Sequence, residues 1–235
     1  MTMMAEKRLQ DGDLYESRYH FKERRSNARF FFATLLILWV FAFALTCWHS
    51  VFSGVQVSGP SMLNTLHDGE YLLMKYYDVG DDLPYGSVII LDIAHYPEVQ
   101  EYNAGKPLQS QTRYLVKRLI AKAGDKVRCT AGVLEICYSG ADEYVVLDEP
   151  YAKYTNKSGY NFTQEYVVGE GEIFFLGDNR NVSMDSRYNE NMSHLDRLYK
   201  ETDIYGIVPD WAIENQENLE KIFFWRELLA EKKQA

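Results

Sequence analysis

Two residues of this sequence have the types and neighbours of a nucleophile and its base. Ser61 stands in VSGPSMLNTLHDGEYLLM, where the Gly-Pro pair predicts a turn that delivers Ser61 and Met62 just before a strand over 70–74. Lys117 stands in YLVKRLIAKAGDKV, where Leu115, Lys117 and Leu119 alternate with Val116, Arg118 and Ile120 as on a strand, so the lysine shares a face with two leucines. A lysine amine takes a proton from a serine hydroxyl only when it is neutral, and burial must first bring it down from its ordinary pKa of ~10.4. An apolar strand face supplies that burial; the other reading is a surface lysine whose stem lies along the sheet. A third block, IFFLGDNRNVSMDSRY, is an apolar strand followed by a turn holding Asp178, Asn179, Arg180, Ser183, Asp185, Ser186 and Arg187. It reads either as an ordered hydrogen-bonded loop or as a surface turn held by Asp-Arg pairs.

The elements that must position these residues are mostly strands. Val55, Val57, 71–74, 88–91, 114–120, 126–133, 144–147 and 173–176 are short apolar runs rich in branched and aromatic residues, separated by Gly, Pro, Asp and Asn. The stretches 94–113, 151–164 and 188–203 are polar and read as loops around the rim of a β domain. Leu219, Ile222, Phe223, Leu228 and Leu229 recur among charges in 214–233, which predicts a C-terminal helix; Phe224 and Trp225 suit either packing on the sheet or contact with a membrane surface. No fixed-period repeat is present.

Ahead of this domain, Phe30 to Trp48 is an uncharged apolar run of 19 residues, and at ~1.5 Å per residue it nearly spans a bilayer core of ~30 Å. Lys22, Arg24, Arg25 and Arg29 precede it and an acidic sequence follows it, which predicts a single transmembrane helix with the N-terminus in the cytoplasm. Bulky Trp48, Val51 and Phe52, rather than a small-x-small site, end or follow the run, so it reads as an uncleaved anchor. The organisation expected is a basic cytoplasmic segment over 1–29, an anchor over 30–53 and an exported domain over 54–235.

The net charge is −9, with seven Lys and Arg against five Asp and Glu through Arg29, so the remainder stands at −11. That acidity excludes nucleic acid as a partner, since phosphate neutralisation needs clustered Lys and Arg. Cys129 and Cys137 flank TAGVLEI, a predicted hairpin, and the sequence leaves a disulfide and two free thiols equally open. His67, His95 and His194 sit in polar surroundings without spaced partners, and no metal or cofactor is assigned.

Taken in order, the three blocks and the anchor resemble the bacterial type I signal peptidase family. The match lies at Gly59, Ser61, Met62, Thr65 and Leu66; at Lys117, Arg118, Ile120 and 124–127; and at 177–180 and 183–187. The resemblance implies an antiparallel β-sheet domain carrying a Ser-Lys dyad, with Ser61 as nucleophile, Lys117 as general base and an acyl-enzyme intermediate. It implies that Ser183 orients the lysine, that Asp185 and Arg187 support this arrangement, and that the Ser61 backbone N–H holds the oxyanion. The partners it implies are secreted preproteins with signal peptides, cut after small residues, beside membrane lipid. Two departures stand out: Gly59 occupies a position where some members carry an oxyanion-binding serine, and Asn64 replaces the usual proline. Two other classes share parts of this pattern. A non-catalytic relative that binds or assembles exported proteins such as pilins would have lost Ser or Lys. An autoproteolytic repressor would carry a DNA-binding module in place of the anchor.

Overall fold

The computed structural model of the chain describes residues 2–108, 111–158, 160–162, 164–183, 185–187 and 199–223. It divides into two units, at Val51 and Phe52. The first is a helix, α1 (Thr2–Val51). Its segment Asn27–Val51 is apolar, unburied and long enough by length and composition to cross a membrane. Neither glycine nor proline interrupts those 25 residues. The hydroxyls of Thr34 and Thr46 donate back to the carbonyls of Phe30 and Ala42, which satisfies them within the helix.

The second unit is built on two antiparallel sheets, as the alternating runs predict. The larger holds β1 (Phe52–Gln56), β2 (Tyr71–Tyr76), β3 (Val88–Asp92), β4 (Tyr114–Lys122), β9 (Glu172–Leu176), β10 (Tyr199–Lys200) and β11 (Ile204–Val208), in the order β1-β2-β11-β3-β4-β9-β10. The smaller holds β5 (Lys126–Thr130), β6 (Val133–Cys137), β7 (Val145–Val146) and β8 (Tyr166–Val167), in the order β7-β6-β5-β8. Short helices α2 (Pro97–Asn103), α3 (Asp210–Glu214) and α4 (Gln216–Phe223) complete it. The helix expected over 214–233 is seen as α4, and 224–233, with Phe224 and Trp225, lie outside the described residues, as does His194.

Alternation along β4 and β9 builds two cores back to back. Leu115 and Leu119 of β4 and Ile173 and Phe175 of β9 join Ile89 and Leu91 of β3 in the first core. Ile120, Phe174 and Leu176 join Val127, Leu134 and Ile136 of the smaller sheet in the second. Phe174, Phe175 and Leu176 are all fully buried, so β9 is wedged between the cores and shows no polar face. Asp125 ties the sheets at their junction, accepting from the backbone N–H of Lys122 and Ser139 and from the Tyr85 hydroxyl.

Several elements differ from the sequence reading: the two-residue strands β8 and β10 lie outside the marked runs, β10 within the stretch 188–203 read as a loop, and three others differ as follows. β1 begins at Phe52, inside the stretch read as anchor. α2 lies within the polar stretch 94–113, with Pro97 in its first turn. β11 is an inner strand between β2 and β3 that the apolar runs did not mark, because Gly206 interrupts it and a register shift falls between Ile204 and Gly206.

The structure also decides between the two readings of the cysteines. In the β5–β6 hairpin Cys129 pairs with Leu134 while Cys137 pairs with Lys126. Three rungs, roughly 10 Å, separate them, and their side chains leave opposite faces. Both thiols are free and buried, and burial pushes Cys129 up to about 11. Peptide mapping under non-reducing conditions should therefore find no Cys129–Cys137 bridge, and both thiols should label with a maleimide only after denaturation. A bridged peptide would contradict this register.

Candidate active site

Each of the three sequence blocks supplies one wall of a single site. The first is the turn after β1. Gly59, at φ +88°, reverses the chain and donates its N–H to Asp68. The backbone N–H groups of Leu63 and Leu66 then bond the carbonyls of Pro60 and Met62, and the buried side chains of Met62 and Leu66 hold the turn down. Asn64 has φ +98°, a conformation closed to proline, whose ring fixes φ near about −65°. The turn therefore follows a path that the usual proline could not follow.

The second wall is β4. Lys117 pairs with Ile89 across the sheet and lies on the Leu115–Leu119 side, so its stem enters the first core. It is 3 % exposed. Its Nζ stands 3.0 Å from Ser61 Oγ and 2.8 Å from the Val116 carbonyl oxygen, to which it donates. Burial lowers the amine to about 8, against an opposing pull from the carboxylates of Asp185 and Asp178. Of the two readings of Lys117, the structure has the buried one. Tyr114 lies on the other side of the strand, against Tyr205.

The third wall is the loop after β9. Gly177 has no room for a side chain: a Cβ there would stand 2.0 Å from Ser183 Oγ and 2.6 Å from the Ser61 carbonyl oxygen. That close approach lets the Asn179 N–H bond the Ser61 carbonyl at 2.9 Å and its amide bond the Pro60 carbonyl at 3.1 Å. The same point places the Ser183 hydroxyl beside Ser61. It is buried and makes no hydrogen bond among the described residues. The structure thus brings Ser183 to the site without showing it bonded to Lys117.

Asp185 accepts the Gly177 N–H at 3.0 Å and is held by Arg187 through Nε at 2.5 Å and Nη2 at 2.8 Å. Arg187 reaches on to the carbonyls of Arg180 and Ser183, so the pair sets the shape of the loop rather than touching Ser61. Ser186 exchanges hydrogen bonds with the Phe175 backbone, its N–H donating to the carbonyl and its hydroxyl accepting from the N–H, which clamps the loop to β9.

Several residues that hold the site together fell within the matched blocks but carried no role in the sequence reading. Arg118 grips Asp178 with Nε at 2.8 Å and Nη2 at 2.6 Å, and Thr65 donates to the same carboxylate. One buried ion pair thereby joins the serine turn, the lysine strand and the third loop. Arg180, fully buried, donates to the Gly177 carbonyl, to Glu149 and to the Tyr154 hydroxyl. Arg-Asp spacing was visible in the sequence; which arginine meets which carboxylate was not, since Arg118 and Asp178 lie 60 residues apart.

The remaining candidates fall outside this constellation. His67 pairs with Glu70 and His95 with Asp203, each about 60 % exposed. Ser58, one residue before Gly59, is exposed.

The family model for signal peptidases, peptidase S26, matches residues 30–219. Signal peptidase I of Bacillus amyloliquefaciens is 34 % identical over 170 residues, covering 70 % of this chain and 78 % of the relative. Signal peptidase I T of Bacillus subtilis (strain 168) is 31 % identical over 163 residues, covering 66 % and 74 %. Among solved structures, a signal peptidase I from Enterococcus faecalis V583 aligns at 24 % identity with a TM-score of 0.36, over 55 % of this chain and 98 % of that one. The residues that meet around Ser61 and Lys117 lie within the matched span, and the chain belongs to the signal peptidase family, peptidase S26.

Proposed function

We propose that this chain is a membrane-anchored serine endopeptidase that removes signal peptides from secreted preproteins with a Ser61–Lys117 dyad. The observation that carries the reading is the buried Lys117 amine, lowered to about 8, at 3.0 Å from the Ser61 hydroxyl. Family membership supports signal peptide removal by a serine peptidase.

A neutral amine has one lone pair and two N–H groups. One N–H goes to the Val116 carbonyl, which aims the lone pair at Ser61. The amine takes the Ser61 proton as Oγ adds to the scissile carbonyl carbon, and the ammonium then returns that proton to the leaving amine. Water, deprotonated by the same lysine, hydrolyses the Ser61 ester and frees the enzyme. The Ser61 N–H donates no hydrogen bond among the described residues, and it is the group available to an oxyanion. Gly59 brings no hydroxyl to help, and Ser58 is exposed. With the lone pair on Ser61 and one N–H on the Val116 carbonyl, the neutral amine has a second N–H to place, and the buried Ser183 hydroxyl has no partner among the described residues. Bonding each other would spare the cost of about 1–3 kcal/mol that an unsatisfied buried group carries, which is the role assigned to Ser183.

Substrates are preproteins cut after small residues at the first and third positions before the bond. The apolar part of α1 is the anchor, and Arg29 with the basic residues before it faces the cytoplasm, leaving residues from Phe52 onward outside. Anchoring holds enzyme and cleavage site at one membrane face and raises their effective concentration.

Ser61→Ala should abolish cleavage of a preprotein whose signal peptide ends in Ala-x-Ala, and Lys117→Arg, which stays charged, should lower it by about 10²- to 10⁴-fold. Because the base must be neutral, kcat/KM of the wild type should climb through pH 8 to a plateau, standing about 100-fold lower at pH 6. Cleavage that survives Ser61→Ala, or a rate flat from pH 6 to 9, would overturn the dyad. Burial that lowers an amine from 10.5 to about 8 costs about 3 kcal/mol while the amine is charged in both folded and unfolded chains. Lys117→Met should therefore stabilise the chain below pH 8, with the gain shrinking as pH rises toward 10.5, read as the unfolding midpoint in denaturant.

A further inference from the structure

One segment outside the three blocks covers arginines of the second and third, Arg118, Arg180 and Arg187. The Tyr151 ring lies 3.9 Å from the Arg118 guanidinium carbon, the Tyr154 ring 5.6 Å from that of Arg180, and the Tyr160 ring 5.2 Å from that of Arg187. The Tyr154 hydroxyl also accepts from Arg180 Nη1 at 2.9 Å. Glu149, from the same segment, forms the buried ion pair with Arg180 and accepts weakly from Tyr151 and Tyr154. The segment runs against the third loop through Lys153, whose N–H bonds the Asp178 carbonyl and whose carbonyl accepts the Arg180 N–H. Its far end is fixed to the β5–β6 hairpin, where the Tyr160 carbonyl accepts from Gly132 and the Cys129 carbonyl from Phe162.

Two of these arginines, Arg118 and Arg187, bear on the base through their carboxylates. Asp185 and Asp178 are the charged groups that act on the Lys117 amine, and both favour its ammonium form. Arg187 holds the first and Arg118 the second. A guanidinium covered by an aromatic face is shielded from water and keeps its pairing. One that is uncovered shares its donors with water, which leaves more of the carboxylate field on Lys117 and admits water toward the amine. Both effects protonate the lysine.

We propose that Tyr151 and Tyr160 are positioning residues: they keep Arg118 and Arg187 dry and paired with Asp178 and Asp185, and so hold Lys117 in its neutral, basic form, while Tyr154 serves the Arg180–Glu149 pair that fixes the segment in place. This rests on Lys117 acting as the base. At positions 151 and 160 the ring carries the effect, and the buried Tyr160 hydroxyl has no hydrogen-bond partner among the described residues. Phenylalanine is therefore the conservative replacement there and leucine the disruptive one.

The test is NMR titration of lysine-labelled full-length chain in detergent micelles, with the Lys117 signal identified by its loss in Lys117→Arg. Tyr160→Leu should raise the Lys117 midpoint by about half to one pH unit, which is about 3- to 10-fold more ammonium per neutral amine. Tyr160→Phe should restore the wild-type midpoint. In cleavage assays the acid limb of kcat/KM should move by the same amount. A Lys117 midpoint unmoved in a folded Tyr160→Leu, or raised as much by phenylalanine as by leucine, would overturn the proposal. Should Tyr160→Leu fail to fold, Tyr151→Leu with Tyr151→Phe makes the same comparison at Arg118. Because the titration needs no substrate, it separates the two readings. A wild type that cuts no preprotein fails as a peptidase whatever the tyrosines do, whereas an unmoved midpoint in an active enzyme sinks the positioning role alone.

Discussion

A lysine amine kept out of water in the middle of an apolar strand is the condition on which the rest of this site depends. Solvated, Lys117 would hold its proton to about pH 10.5 and could not accept one from a serine hydroxyl. β4 alone cannot dry it, because one strand covers one side of a four-carbon stem. Leu115 and Leu119 flank the stem, β3 lies beside it, and the serine turn and the loop after β9 close over the amine. The proposed catalytic pair and the packing of the domain are in this sense one structure. On the proposed mechanism, stability lost by burying an ionisable group is the condition for reactivity, and it is offset by the two cores that share β4 and β9.

Holding these walls in register falls to arginine–carboxylate pairs rather than to apolar contacts. Arg118, Asp178 and Thr65 join one residue from each wall in a single buried cluster. A buried pair of this kind adds little net stability against an apolar substitute, but removing one partner costs about 3–5 kcal/mol, so it enforces one arrangement of the walls. The same pairs have an electrostatic consequence. Asp178 and Asp185 favour the ammonium form of Lys117 against the effect of burial, and each is paired with a guanidinium. Backbone contact does the finest positioning. Gly177 approaches Ser61 so closely that no side chain fits between them, and Asn179 then fixes the Pro60 and Ser61 carbonyls.

Much of this was legible in the sequence because it follows from alternation. Lys117 between Leu115 and Leu119 predicts the face it takes, and the apolar runs mark most strands of an antiparallel β domain. What alternation cannot reach is pairing across the chain. β11 hides because Gly206 breaks its pattern. The cysteines looked bridgeable by separation, and only the hairpin register, Cys129 opposite Leu134 and Cys137 opposite Lys126, puts them on opposite faces. Asn64 showed that the serine turn departs from a proline-bearing one, but its φ of +98° comes from the backbone path alone. The stretch 151–164 reads as a polar rim loop, since Tyr151, Tyr154 and Tyr160 share no period and their partners lie 33, 26 and 27 residues away.

The central claim is that burial makes Lys117 a base for Ser61 near neutral pH. The most direct measurement is the rate at which an active-ester probe acylates Ser61 in the full-length chain, followed across pH 5 to 10 in wild type and Lys117→Met, with the modified residue located by mass spectrometry. A rate that rises through one ionisation near 8 and plateaus, and that is lost in Lys117→Met, is the predicted result. A rate that climbs without inflection toward pH 10, or that is equal in the two proteins, would contradict it.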